Sequence, residues 1–239
     1  MEINKETCIG CALCVNYCPM SCISIREGRS FIDQDECVEC GVCKNSGVCP
    51  VDAIYEPEMD EKRNLRKTFS NPLISHSSTS VPGRGTEEMK TNDVTGRFKM
   101  GFTGIAAELG RPGTGTRFSD VQKVAQACAR HKVEFEPLNP VTTIMTDRKK
   151  GLIDERFLNE KVLSAIVEFI VPDEKVKGVL EDLMKISNEI DTVFSLDICG
   201  VADASGKPFF EKVVQEMGLE FSINGKVNVG LGRPLAEVL

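Results

Sequence analysis

Residues 8–19 read CIGCALCVNYCP and residues 37–50 read CVECGVCKNSGVCP, and these two stretches decide how the first part of the chain must fold. Cys8, Cys11 and Cys14 return 29 residues later as Cys37, Cys40 and Cys43, and Cys18-Pro19 returns 31 residues later as Cys49-Pro50. This end of the chain is therefore an internal repeat. The second copy carries two extra residues between its third and fourth cysteines, within KNSGV at 44–48. A C-x-x-C-x-x-C run sets three thiols on one tight loop, and a fourth ligand must come from elsewhere. Nine of the eleven cysteines fall between Cys8 and Cys49. That odd, clustered set follows a start, MEINKETCIG, without a charged-then-apolar secretory pattern. Metal ligation in a reducing compartment, the cytoplasm, is the expectation rather than a disulfide framework. A zinc ribbon needs only two C-x-x-C pairs and leaves the third cysteine of each run without a role.

With both cysteine runs and both Cys-Pro pairs present, residues 1–57 resemble bacterial-type two-cluster ferredoxins. The resemblance implies a small pseudo-symmetric domain that holds two [4Fe-4S] clusters and passes single electrons at low potential. In this kind of run the fourth cysteine ligates the other cluster. The implied sets are Cys8, Cys11, Cys14 and Cys49 for the first cluster, and Cys37, Cys40, Cys43 and Cys18 for the second. The insertion before Cys49 departs from the common spacing and bears on that crossing ligand. Cys22 aligns with Ala53 when the halves are superposed, so it is expected to pack beside a cluster rather than bind it. Four basic residues (Lys5, Arg26, Arg29, Lys44) against nine acidic ones give this segment a charge of -5. Such a face suits basic docking patches on redox partners, or simply solubility.

The whole chain has 239 residues, 41% hydrophobic and 27% charged, with a net charge of -7. It is too long for the cysteine-rich segment alone. The acidic balance, the absence of Trp and the two Tyr argue against nucleic acid as a partner, and no apolar run approaches membrane-spanning length. Residues 58–95, with SNPLISHSSTSVPGRGTEE at their centre, read as a polar, flexible linker in which 58–67 form a short exposed helix and His76 is solvated. Residues 96–239 alternate strand and helix signals. Strands are expected at 97–107 and 133–146 around a helix at 120–131 opened by a Ser119/Gln122 capping box. Strand 163–171, a helix from Asp173, strand 191–198, a helix through Phe209 to Met217, and a hairpin turning at Asn224-Gly225 follow. The fold class is α+β: a small ferredoxin domain, a linker, and a larger α/β or α+β sandwich domain of unknown role.

Residues 96–239 contain no Ser-His-Asp, H-E-x-x-H or P-loop pattern. Their candidate anion site is the glycine-rich turn 110–117, with Arg111, Gly113, Gly115 and Arg117 directly before a helix. Gly232-Arg233-Pro234 echoes it. His131 is expected to cap a helix, and Cys128 and Cys199 to pack. The leading functional expectation is an iron-sulfur subunit of a larger anaerobic oxidoreductase, partnered by a redox protein or by catalytic subunits. The alternatives are a stand-alone reductase of a small anionic substrate, and a ferredoxin coupled to a ligand-sensing regulatory domain.

Overall fold

The computed structural model describes residues 1–80, 96–111 and 113–222. The cysteine-rich segment is built from β1 (Glu2–Ile3), β2 (Ile23–Arg26), β3 (Arg29–Ile32), α1 (Val42–Asn45) and β4 (Ile54–Tyr55). Strands β2 and β3 form a hairpin whose turn residues, Glu27 and Gly28, both have positive φ, the geometry that matches the twist of paired strands. Strand β1 pairs antiparallel with β4, tying the two ends of the segment together. Each cysteine run turns through two left-handed residues at matching places, Gly10 and Ala12 in the first and Glu39 and Gly41 in the second. These turns curl the backbone so that three thiols face inward. Gly10 has a further reason to be glycine, because a Cβ there would lie 2.1 Å from the Gly28 carbonyl oxygen. The two extra residues before Cys49 are taken up by α1 and a left-handed Gly47.

Helix α2 (Glu61–Ser70) follows, with the Asp60 carboxylate accepting from the Arg63 amide at 2.8 Å. It lies three residues later than the expected exposed helix and is not exposed on every side. Arg66, Phe69 and Ser70 are buried, and Phe69 packs edge-on against Phe118 of the larger core with ring centroids 5.0 Å apart. His76 corrects the solvated reading. It is buried, its Nδ1 sits 2.8 Å from the Ser78 hydroxyl, and its ring meets Phe69 edge-on. The polar composition of 58–80 hid one aromatic anchor, and that anchor orders the stretch around it.

The larger part contains β5 (Phe102–Leu109), β6 (Thr116–Arg117), α3 (Phe118–Ala129), β7 (Glu134–Phe135), α4 (Pro140–Thr143), β8 (Met145–Asp147) and β9 (Leu152–Ile153). It continues with β10 (Lys161–Val162), β11 (Ala165–Pro172), α5 (Val176–Ile186), β12 (Phe194–Gly200) and α6 (Phe209–Glu216). Strands β12, β5, β11 and β7 form one antiparallel sheet in that order. With α3 after β5 and α5 after β11, this is a split β-α-β arrangement. Alternation places Ile105, Ala107 and Leu109 on one face with Val167 and Phe169, all at most 1% exposed, against α3 and α5. The opposite face carries Glu108 and Glu168, also buried, which explains why neither central strand reads as polar-out.

Strand and helix order follow the expectation, while several boundaries move. The strand expected at 97–107 is Phe102–Leu109, and the one expected at 133–146 breaks into β7, α4 and β8 around the Pro140 helix start. The Ser119/Gln122 capping box does not form. Helix α3 begins at Phe118, the Phe118 and Ser119 amides donate to the carbonyls of Glu160 and Leu158, and the Gln122 side chain accepts from the Ile153 amide. The expected hairpin lies outside the described residues beyond Ser222, as does Gly232-Arg233-Pro234.

Candidate metal centres

The cysteines of the two runs meet around two cavities. Cys8, Cys11, Cys14 and Cys49 line the first, with Ile3 and Ala53. Cys37, Cys40, Cys43 and Cys18 line the second, with Cys22 and Met20. The loops supply three thiols each, and the Cys-Pro corners carry the fourth across from the other half. Apart from Ser30 in the first, the walls are thiols, aliphatic side chains and backbone, a donor set that suits soft metals and sulfide. Among the described residues no three His, Cys, Asp or Glu side chains close on a single point as the ligands of one ion do. Four thiolates bound to one zinc would stand only about 4 Å apart, given Zn–S bonds of about 2.3 Å. A wall of four thiols, three from one run and one from the other, fits the ligand pattern of an iron-sulfur cluster.

Hydrogen bonds to sulfur are laid out in parallel. The Ala53 amide donates to Cys49 Sγ at 3.2 Å and the Cys22 amide to Cys18 Sγ at 3.3 Å. In the first cavity the Ser30 amide donates to Cys8 Sγ at 3.4 Å. Burial acts to raise the Cys8 thiol pKa, and amide bonds from Ser30 and Gly10 outweigh it, leaving a net depression. In the second cavity the Cys22 thiol lies 3.3 Å from Cys18 Sγ, with either sulfur able to donate. Its interactions with these thiols lower Cys18 to about 6 and Cys37 to about 7, and its own pKa is driven up. Burial pushes Cys43 up to about 12.

The charge reading changes once partners are seen. Four of the nine acidic residues of the segment pair with bases beyond residue 57: Glu2 and Glu39 with Arg63, Glu36 with Arg117 and Lys161, and Glu56 with Lys67. Five carboxylates then face four bases, so the surface is close to neutral. Sequence reasoning missed Arg63, Arg66 and Glu36 as organising residues. The only signal of the two arginines was the charge run EMDEKRNLRK directly after the cysteine segment, and Glu36 carried none.

The candidate anion loop is engaged by the protein itself. Arg111 pairs with Glu108 at 2.6 Å, and Arg117 with Glu36 at 2.5 Å and the Asn159 carbonyl at 2.7 Å. Gly115 faces Met20, whose methyl would sit 2.6 Å from a Cβ at that position, while Gly113 is exposed. The loop abuts the wall of the second cavity. His131 lies just past the end of α3 and its side chain bonds Asp182 on α5 at 2.9 Å, and Cys128 is buried in the core.

Two thiol-walled cavities at this spacing define a cluster-binding protein. The family model described as 4Fe-4S binding domain matches residues 1–24. The chain is 47% identical over 55 residues to "Ferredoxin 7Fe" of Hydrogenibacillus schlegelii, covering 22% of this chain and 68% of that one. It is 41% identical over 106 residues to "Ferredoxin-1" of Caulobacter vibrioides, covering 42% and 91%. With "Ferredoxin" of Alicyclobacillus acidocaldarius it shares 42% over 65 residues, covering 25% and 81%. No solved structure matches. The chain belongs to the ferredoxin family, through a bacterial-type ferredoxin domain at its N-terminal end. It is accordingly an iron-sulfur protein of the electron-transfer class.

Proposed function

We propose that residues 1–57 hold two [4Fe-4S] clusters in pseudo-symmetric halves and pass single electrons between redox partners. Cys8, Cys11, Cys14 and Cys49 ligate one cluster, and Cys37, Cys40, Cys43 and Cys18 the other. The observation that carries this reading is that each cavity gathers three thiols from one run and the Cys-Pro thiol of the other. The protein contributes thiolate ligands, amide bonds to sulfur and an apolar enclosure, which together tune potential.

Residues 58–95 connect this domain to residues 96–239, and the larger domain holds it in a fixed pose. Arg66 donates to the Gln34 and Cys37 carbonyls at 2.6 and 2.8 Å and pairs with Glu160, and Ser70 Oγ accepts from the Leu163 amide. A rigid mount of this kind supports the role of an iron-sulfur subunit in a larger oxidoreductase of anaerobic metabolism, in the cytoplasm. Among the described residues no helix is long and apolar enough to cross a membrane. Anaerobic affinity purification from the native host, with iron, sulfide and flavin assays, tests the subunit role. Stoichiometric catalytic subunits are the expected result; a chain isolated alone with full clusters would overturn it.

A further inference from the structure

The two cysteine runs can be compared position by position at their 29-residue offset. Their outer cysteines are equally buried: Cys8 and Cys37 are each 7% exposed, Cys14 6% and Cys43 8%. The loop centres differ. Ile9 is 58% exposed where its counterpart Val38 is 1%, and Cys11 is exposed where Cys40 is buried. Both loops share the same left-handed turns, so the difference comes from what the rest of the chain lays over them. Over the second loop, Arg63 and the Met1 nitrogen hold a fully buried Glu39, Arg66 reaches the Cys37 carbonyl, and the Asn71 amide lies beside Gly41. On another side of the second cavity, Met20 packs against Gly115. In the first cavity Ile9, Cys11 and Val51 are both lining and exposed.

We propose that the first site is the electron port of this protein and the second an internal site that reaches external partners only through it. This rests on the two-cluster reading above. Tunnelling falls steeply with separation, so a partner seated on Ile9 and Val51 brings its redox centre up to the Cys11 sulfur. A partner approaching Cys40 is held off by α2. The fitting partner is a one-electron redox protein with an apolar contact surface, since apolar side chains flank Cys11 and the carboxylates of the segment are largely balanced. In each encounter the donor protein loses one electron and this chain gains one, with no bond made or broken and no proton moved.

Anaerobic holoprotein treated with substoichiometric ferricyanide, which attacks clusters from solvent, gives the test when freed thiols are trapped with iodoacetamide and mapped by mass spectrometry. Cys8, Cys11, Cys14 and Cys49 are expected to label several-fold faster than Cys18, Cys37, Cys40 and Cys43. Equal or reversed labelling overturns the port assignment. Iron for a single cluster before oxidant is added would instead overturn the two-cluster reading. Stopped-flow reduction by a small reduced ferredoxin supplies the second measurement. Ile9→Glu is expected to slow the second-order rate at least several-fold at full iron content, and Leu73→Glu, at an exposed apolar position just past α2 and outside both runs, to leave it unchanged. Equal slowing by both contradicts the proposal.

Discussion

Cys22 and Ala53 occupy matching places, each donating its amide to the sulfur of the Cys-Pro cysteine four residues earlier. The Cys22 side chain adds a thiol 3.3 Å from Cys18 Sγ without completing either run. Cys22→Ala is therefore expected to keep full iron and sulfide, about eight irons per chain at four per cluster. Cys18→Ala is expected to lose iron, and equal loss in both variants would make Cys22 a ligand. Gly10→Ala tests the turn that shapes the first run. With positive φ and the Gly28 carbonyl in the way, it is expected to cost about 1–3 kcal/mol from backbone strain alone and to lower the thermal midpoint of the holoprotein. At this scale the cysteines were legible because ligand spacing is a local pattern. Arg63 and Arg66 were not, because their partners Glu2, Glu39 and the Cys37 carbonyl lie more than twenty residues away.

Helix α2 joins the two parts of the chain. One face binds the second cysteine loop through Arg63 and Arg66, and its last turn sinks Phe69 into the core of the larger part. Phe69→Ala is expected to destabilise the protein by about 3–5 kcal/mol in denaturant unfolding; a change within about 0.5 kcal/mol would show that the helix is not anchored there. Glu36 makes the other bridge, to Lys161 and Arg117, and the Lys161 hydrogen bond and both charges hold its carboxyl below the usual value of 4.5. A carboxyl with a depressed folded pKa adds stability above its unfolded pKa and loses it as pH falls through the folded one. The contact is thus fully present at neutral pH and weakens only below about 4.5. Glu36→Gln reproduces the acid state at pH 7, and faster amide hydrogen exchange in the 113–117 loop is the expected consequence; unchanged exchange would assign the contact to Met20 and Gly115 alone. Composition read residues 58–80 as linker because one Phe among polar residues carries no periodic signal. The helix order of the larger part was legible from apolar spacing, while the boundaries at 102 and 140 depended on sheet pairing and a proline.

For the molecule as a whole, a cluster-binding segment and a split β-α-β domain share a packed boundary, and that boundary makes two similar loops unequal. The repeat was visible in sequence, and the inequality was not, since Ile9 and Val38 are both apolar and only the fold decides which one is covered. The central claim is that each thiol-walled cavity holds a four-iron cluster. Mössbauer spectroscopy of the anaerobically purified, iron-57-enriched chain, with chemical iron and sulfide on the same sample, tests it most directly. About eight irons and about eight sulfides per chain, all in cubane environments, are the expected result. About four irons per chain, or zinc in place of iron, would contradict it.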